Sequence, residues 1–470
     1  MAATILNSSR ASFFRRLTRI PFPSIAAYPR NFSVTPRRPL MQTEGFSDDQ
    51  MSVREAISKI CSNFPDLGID HVKEYWAERD ETGEYPHELH AALAKDGWIG
   101  VALPEELGGA GLGISEATMM LHTIAEYVNR FEVLKEQLEP IERGRGRVLG
   151  EQQKLTLTRS GAGIAGAQSI HANVYATQPV AKFASPEQRQ RMLSKLISGE
   201  ARTCFGVTEP NTGLETNKLQ TFAKRDGDSY LVSGQKIWIS SAQVATKMIL
   251  LARTEAGISL FFIDFDKTKP GLELRKIKKM GGRAVDANEV FFDNYRIPAD
   301  SLIGKEGEGF KMVLHGLNAE RCLLAGEALG LGYAALKRAT NYARERVVFG
   351  RPIGMNQGIQ HPLASAYMNL EAAKHATYHA TRLYDKSRSD SSITRTAVGV
   401  ACNSAKYLAA EASFKACETA VLTHGGMGYA QEYHVERYLR ECFVPRIAPV
   451  SREMILNFVG EKALGLPKSY

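Results

Sequence analysis

The sequence predicts an α+β multidomain fold, with an N-terminal α-helical domain, a central β-domain and a C-terminal helical bundle. Three observations carry this. Residues from about 48 to 126 and from 160 to 198 read as helices. From 202 to about 300 the pattern changes to short β-type runs. From Gly309 onward long helical patterns return, with Leu323, Leu324, Leu329, Leu336 and Tyr342 at helical spacing. With 470 residues the chain has ample length for a large core, and 44% hydrophobic with 23% charged residues is a globular composition. The divisions fall at 1–43, a leader; 48–200, helical; 201–305, β; and 306–470, the bundle.

The leader carries seven arginines (10, 15, 16, 19, 30, 37 and 38) and no acid before Glu44, with Leu, Ile and Phe between them. That is a mitochondrial targeting composition, and Arg30-Asn31-Phe32-Ser33 resembles a matrix-processing site; the alternative is a disordered basic tail. The expected location is the mitochondrial matrix. The peroxisome is the alternative, although Lys468-Ser469-Tyr470 is not a peroxisomal address.

Ser47-Asp48-Asp49 offers the first helix start, and Ala91–Trp98 has helical spacing before a glycine-rich loop at Pro104–Gly113. A further helix starts at Pro186-Glu187. In the β-domain the runs are Leu219–Lys224, Ser229–Val232, Lys247–Ala252, Ser259–Asp264 and Glu289–Phe292, with Asp226-Gly227 signalling a hairpin between the first two. The bundle is expected over Ala319–Val347, His361–Ser387, Arg395–Thr423 and Glu432–Arg440.

Residues 127–159 interrupt this order. They are polar, carry Arg143-Gly144-Arg145-Gly146-Arg147, and divide pieces that would join smoothly at Glu126 and Ser160. An unspliced intron read through into protein is expected, with splice-like signals at Tyr127-Val128-Asn129 and Leu155–Arg159. A genuine surface insertion, docked as a helix over part of Phe131–Ile141, is the alternative.

Composition excludes several classes. The net charge is +8, but the leader supplies seven of those charges, so the body is nearly neutral and no basic patch suggests a nucleic acid. No run of about 18 apolar residues is present, so no transmembrane segment is expected. Cys61, Cys204, Cys322, Cys402, Cys417 and Cys442 form no C-x-x-C pair, which predicts buried reduced thiols and no structural metal. Gly161-Ala162-Gly163-Ile164-Ala165-Gly166 matches a dinucleotide pattern, but no strand precedes it, so a helix–helix contact is expected instead.

Two runs point to chemistry. FGVTEPNTG at 205–213 gathers a hydroxyl, a carboxylate, a proline and a glycine. SGQKIWIS at 233–240 reads as an alternating strand, with Ile237 and Ile239 facing one way and Trp238 and Ser240 the other. An indole to lie against a flat ring, beside hydroxyls for its polar edge, suits a flat cofactor; an ordinary turn and a half-buried strand are the alternatives.

Together these runs resemble the flavin-binding β-domain of the acyl-CoA dehydrogenase family, and the resemblance extends from about residue 50 to the C-terminus. It implies that the bundle has four helices and that the cofactor is FAD. Phe205, Val207 and Thr208 would lie along the flavin ring, with Trp238 and Ser240 on the other side. The family often has serine after the glycine corresponding to Gly213. Here Leu214 stands there, leaving Thr216 or a backbone N–H for the pyrophosphate. Arg344–Pro352 resembles the family's R-x-x-F-G element, which would send Arg346 into a neighbouring subunit's pyrophosphate. Phe349, Gln357 and Gln360 would line the adenosine half. His424–Tyr429 resembles the family's Gly-Gly turn, with Gly425 and Gly426 approaching the cofactor. In the family the helices on either side of 127–159 run on with only a short connection.

Oxidising an acyl thioester at its α–β bond needs one carboxylate to remove the α-proton. Many family members carry that glutamate in a C-terminal loop, where this chain has Ile447-Ala448-Pro449-Val450. The isovaleryl and long-chain branches carry it on a helix before an arginine, a position matched by Glu320 in Asn318-Ala319-Glu320-Arg321. Glu320 is therefore the expected base, with Asn318 and Arg321 beside the substrate; a surface salt bridge is the alternative.

The resemblance implies an acyl-CoA substrate, giving the trans-2-enoyl-CoA in fatty-acid or branched-chain amino-acid breakdown. It also implies electron-transferring flavoprotein as acceptor, and a homotetramer or at least a dimer. The rivals are an acyl-CoA oxidase and a catalytically silent family member acting as an assembly factor.

Overall fold

The computed structural model describes residues 40–64, 75–127, 130–133, 155–158 and 161–469. The leader up to residue 39, the Arg143–Arg147 run, and Val128, Asn129 and Arg159 of the expected splice-like signals lie outside them. Met41 and Gln42, grouped by composition with the leader, are packed: Met41 is buried, and the Gln42 carbonyl accepts from Lys374 Nζ at 2.6 Å.

The N-terminal helices are α1 (Asp48–Cys61), α2 (Tyr75–Thr82), α3 (His87–Lys95), α4 (Ile114–Glu126), α5 (Gly163–Tyr175), α6 (Thr177–Phe183) and α7 (Pro186–Ile197). Capping boxes fix two starts: Ser47 with Gln50 for α1, and Ser185 with Gln188 for α7. The helix expected over Ala91–Trp98 stops at Lys95, because Gly97 turns left-handed at φ +78° and Trp98–Gly100 forms a 3₁₀ turn.

Between α4 and α5, Arg130–Val133 (β1) pairs antiparallel with Leu155–Thr158 (β2). The helix allowed over Phe131–Ile141 is thus a strand across Phe131–Val133. A methyl group on Gly161 would stand 2.2 Å from the Tyr127 carbonyl oxygen. The chain therefore leaves and re-enters the helical domain at one point.

The dinucleotide-like glycines open α5. Gly161 N–H donates to Tyr438 Oη at 2.9 Å and Ile164 N–H to Glu441 Oε2 at 2.8 Å, so these donors are already taken. A Cβ on Gly166 would meet Trp76 and Ile124, in agreement with a helix contact.

The β-domain contains β3 (Thr203–Gly206), β4 (Phe222–Asp226), β5 (Ser229–Ser240), β6 (Lys247–Thr254), β7 (Gly257–Asp264), β8 (Leu272–Lys276), β9 (Ala287–Pro298) and β10 (Leu302–Ile303). Their order is β10-β7-β6-β4-β5-β9-β8, with β3 parallel to β6. β6 is apolar on both faces because both are covered: Ile249 and Leu251 pack with the helices, and Met248 and Leu250 pack within the β-domain. The β4–β5 hairpin forms around Gly227-Asp228, with Gly227 at φ +59°.

Two strand expectations need correction. Leu219–Thr221 is not strand, because the Glu209 carboxylate takes the N–H groups of Gln220 and Thr221. β8 has no counterpart in the sequence reading; its Glu273, Arg275 and Lys276 mark a charged edge strand, where alternation is weak.

The bundle consists of α8 (Gly309–Glu345), α9 (Gln357–Lys386) and α10 (Arg395–His424), followed by α11 (Val435–Glu441) and α12 (Arg452–Leu464). α8 starts ten residues before Ala319 and stops at Glu345, where Val347-Val348 turns back to pair with Arg351-Pro352. The helix expected from Glu432 begins at Val435, after a 3₁₀ turn. α8 is the centre of the domain, packed against α10, α4 and α9. A Cβ on Gly330 would stand 2.3 Å from the His122 carbonyl, so α4 touches the α8 backbone.

Candidate active site

Between the β-domain and α8 lies a cavity of about 1210 Å³. Small-molecule sites usually enclose roughly 300–1,000 Å³, so there is room for a large ligand or for two. Phe205 and Val207 reach it from the end of β3, and Thr208, Gly213, Leu214 and Thr216 from the loop that follows. Trp238 and Ser240 come from β5, Asn318, Glu320 and Arg321 from α8, and Ala448, Pro449 and Val450 from the loop before α12.

A bulge sets the indole. The β5–β9 register shifts between Lys236 and Ile239, and Trp238 sits at φ +61°. The strict alternation expected over 233–240 therefore fails. Lys236 and Ile239 are both buried, while Trp238 is 57% exposed on the cavity.

Behind it, Lys236 Nζ donates to the Val207 carbonyl at 3.1 Å and to Glu209 Oε1 at 2.8 Å. Burial pulls the Lys236 ammonium down to about 8 despite Glu209. Glu209 also accepts the N–H groups of Gln220 and Thr221, and Ile237 N–H donates to the Thr208 carbonyl at 2.9 Å. The carboxylate in the first motif thus staples the loop that carries Thr208, Gly213 and Thr216.

Glu320 is the one carboxylate among the described residues lining the cavity. It is 9% exposed, and its Oε2 has no hydrogen-bond partner among the described residues. Burial pushes its carboxyl up to about 7, against the opposing pull of His171 and Arg321. Arg321 Nη1 donates to Asn318 Oδ1 at 2.8 Å, fixing the two flanking side chains to each other. Lys406 Nζ donates to the Val450 carbonyl at 2.8 Å and holds the Pro449 loop on the cavity.

Family models agree with this architecture. Those for the acyl-CoA dehydrogenase N-terminal, middle and C-terminal domains match residues 47–134 with 155–200, 204–295 and 307–464. The chain belongs to the acyl-CoA dehydrogenase family. It is 32% identical to an acyl-CoA dehydrogenase of Mycobacterium tuberculosis, over 90% of this chain and 98% of that one. It is also 32% identical to the mitochondrial short-chain specific acyl-CoA dehydrogenase of Bos taurus, over 84% and 85%. Among solved structures, butyryl-CoA dehydrogenase from Megasphaera elsdenii superposes with a TM-score of 0.75 at 26% identity, covering 90% of this chain and 100% of that chain. The enzyme is an acyl-CoA dehydrogenase-type oxidoreductase whose cofactor is FAD. The cavity suits that cofactor: an outstanding indole, the Thr208 and Ser240 hydroxyls, and apolar walls from Phe205 and Val207.

The other residues assigned to the cofactor do not line this cavity. Arg346, Gln357, Gln360, Gly425 and Gly426 are exposed, and Phe349 is 99% exposed. With Leu422 and Tyr429 also exposed, these segments present apolar groups outside the single-chain cavity.

Sequence reasoning missed a set of bases on the cavity. Lys182, Lys311, Arg388 and Arg395 are exposed there, and His315 lies among them. Burial, then Lys182, Arg388 and Arg395, push the His315 imidazole down to about 4. They come from α6, α8, the turn after α9 and the start of α10, so no local motif announces them.

Proposed function

We propose that this flavoenzyme oxidises the α–β bond of an acyl-CoA thioester to the trans-2-enoyl-CoA, with Glu320 as the general base. Glu320 carries the reading, as the only carboxylate among the described cavity-lining residues and with one oxygen unpartnered. Bound in this cavity, FAD would supply the acceptor for the hydride that leaves the β-carbon. The Glu320 carboxylate takes the α-proton, and the thioester carbonyl stabilises the charge developing at that carbon. Asn318 and Arg321 flank the base on the substrate side. Thr208, Ser240 and Trp238 would hold the flat cofactor, and Thr216 would be available to its pyrophosphate. The basic set around His315 suits the phosphates of coenzyme A, since Lys182, Lys311, Arg388 and Arg395 are exposed on the cavity and its one lining acid, Glu320, is buried.

The wider reading follows the family. A homotetramer or dimer would cover the exposed Phe349 and Tyr429 surfaces, with Arg346, Phe349, Gln357, Gln360, Gly425 and Gly426 completing a neighbour's FAD site. Electron-transferring flavoprotein would reoxidise the enzyme in fatty-acid or branched-chain amino-acid breakdown. The leader composition supports the mitochondrial matrix, as does a bovine relative named as mitochondrial.

Rapid mixing of the flavin-loaded protein with a panel of straight and branched acyl-CoA thioesters tests the activity. Flavin bleaching with at least one is expected, and a spectrum unmoved by all of them would overturn the reading. Fast reoxidation by dioxygen, in place of electron-transferring flavoprotein, would reassign the enzyme as an oxidase.

A further inference from the structure

Seven residues beyond Glu320 on α8, and so on nearly the same helix face, Glu327 is fully buried. His171 Nδ1 meets its Oε1 at 2.6 Å. His171 stands on α5 one turn before Tyr175, whose ring it meets at 4.9 Å between centroids. Tyr175 lines the cavity and packs edge-on against Phe205 at 5.2 Å. The pair is therefore stationed behind the cavity wall that carries the base. Taking an imidazole and a carboxylate out of water is costly unless they pair, as these two do.

We infer that the Glu327–His171 pair is a positioning device for the base, its imidazolium supplying positive charge that opposes burial and favours the ionised form of the Glu320 carboxylate. The inference rests on the reading of Glu320 as the base. Burial works against a charge on His171, but Glu327, bonded to it, and Glu320 beyond raise its affinity for the proton above the ordinary value. The other groups facing Glu320 are Arg321 and Glu327 on its own helix, Tyr175 on α5 and Lys406 on α10; Cys204 on β3 faces Tyr175. Arg321 is engaged with Asn318, and Lys406 Nζ with the Val450 carbonyl. His171 is the cation here with a buried carboxylate dedicated to it.

The test is the pH dependence of flavin reduction in rapid mixing, on flavin-loaded His171→Gln and Glu327→Gln beside the wild type. An opposite charge at close range lowers a carboxyl pKa by about one to three units, so His171→Gln should move the acid limb up by roughly one unit or more. The rate should fall below neutrality and recover toward wild type in alkali. Glu327→Gln should move the limb the same way but less, because it also removes a negative charge that faces Glu320. A merely structural pair would change flavin content or melting and leave the limb in place. An unmoved limb in either flavin-loaded variant overturns the inference, and loss of flavin by both assigns the pair to the core and overturns it as well. Glu320→Gln separates the two readings: near wild-type reduction in that variant sinks the base itself. An inactive Glu320→Gln with an unmoved limb in His171→Gln sinks only the pair.

Discussion

Replacing Glu320 with Gln should slow the enzyme and stabilise it, for the same physical reason. The amide keeps the shape of the side chain and the cavity wall but can neither take the α-proton nor carry a charge. Losing a general base lowers flavin reduction by roughly 10²–10⁴-fold, with flavin and ligand binding preserved. The stability change follows from burial. The Glu320 carboxyl is raised from 4.5 to about 7 in the folded chain. Below 4.5 it is protonated whether folded or not and costs nothing. Between 4.5 and about 7 the unfolded chain releases the proton while the folded chain keeps it, so stability falls as pH rises; above about 7 the loss is complete. A shift of this size corresponds to about 3 kcal/mol. Glu320→Gln should therefore outlast the wild type in denaturant above neutrality by up to that amount, and the advantage should disappear in acid. Wild-type flavin reduction should itself fall as the pH drops through about 7. Reduction of the variant at near wild-type rate would refute the base. A stability advantage that is absent, or equal at both pH extremes, would refute the burial account.

Other perturbations reach different parts of the molecule. Arg346→Ala should weaken flavin retention and oligomer stability together, read by gel filtration with flavin absorbance; an intact, fully flavinated oligomer would leave Arg346 as a helix-end charge. Lys236→Met strands the buried Glu209 carboxylate and should cost about 3–5 kcal/mol. It should also loosen flavin, because Glu209 staples the 208–221 loop; unchanged melting and retention would show that the Gln220 and Thr221 amides suffice. Arg388→Ala with Arg395→Ala should raise KM for acyl-CoA at nearly constant kcat, and an unchanged KM would remove these residues from coenzyme A binding. Deleting 127–159 should raise the soluble, flavin-loaded yield, since Tyr127 and Gly161 already touch. Loss of activity on deletion, with the segment present in the mature message, would show a true insertion with a role.

Whatever depends on neighbours along the chain was legible before folding. The Ser47 and Ser185 helix starts and the β4–β5 hairpin rest on contacts spanning a few residues. Such contacts leave a spacing that can be read before folding. The position of Glu320 was legible too, through the motif Asn318–Arg321 and the proline at 449. Its working charge was not, because that depends on how much water the assembled cavity excludes. Tertiary structure alone decided that Trp238 stands out on a bulge, since the register shift arises from pairing with β9. It also turned Glu209 into a staple by bringing Lys236 and Thr221 to its oxygens. The basic groups at the cavity edge come from three helices and the turn after α9, and His171 and Glu327 are 156 residues apart in sequence. Charges separated by that much chain have no pattern to betray them. They meet because α5 and α8 bury their apolar faces together, and packing, unlike capping or turn formation, leaves no short-range signature.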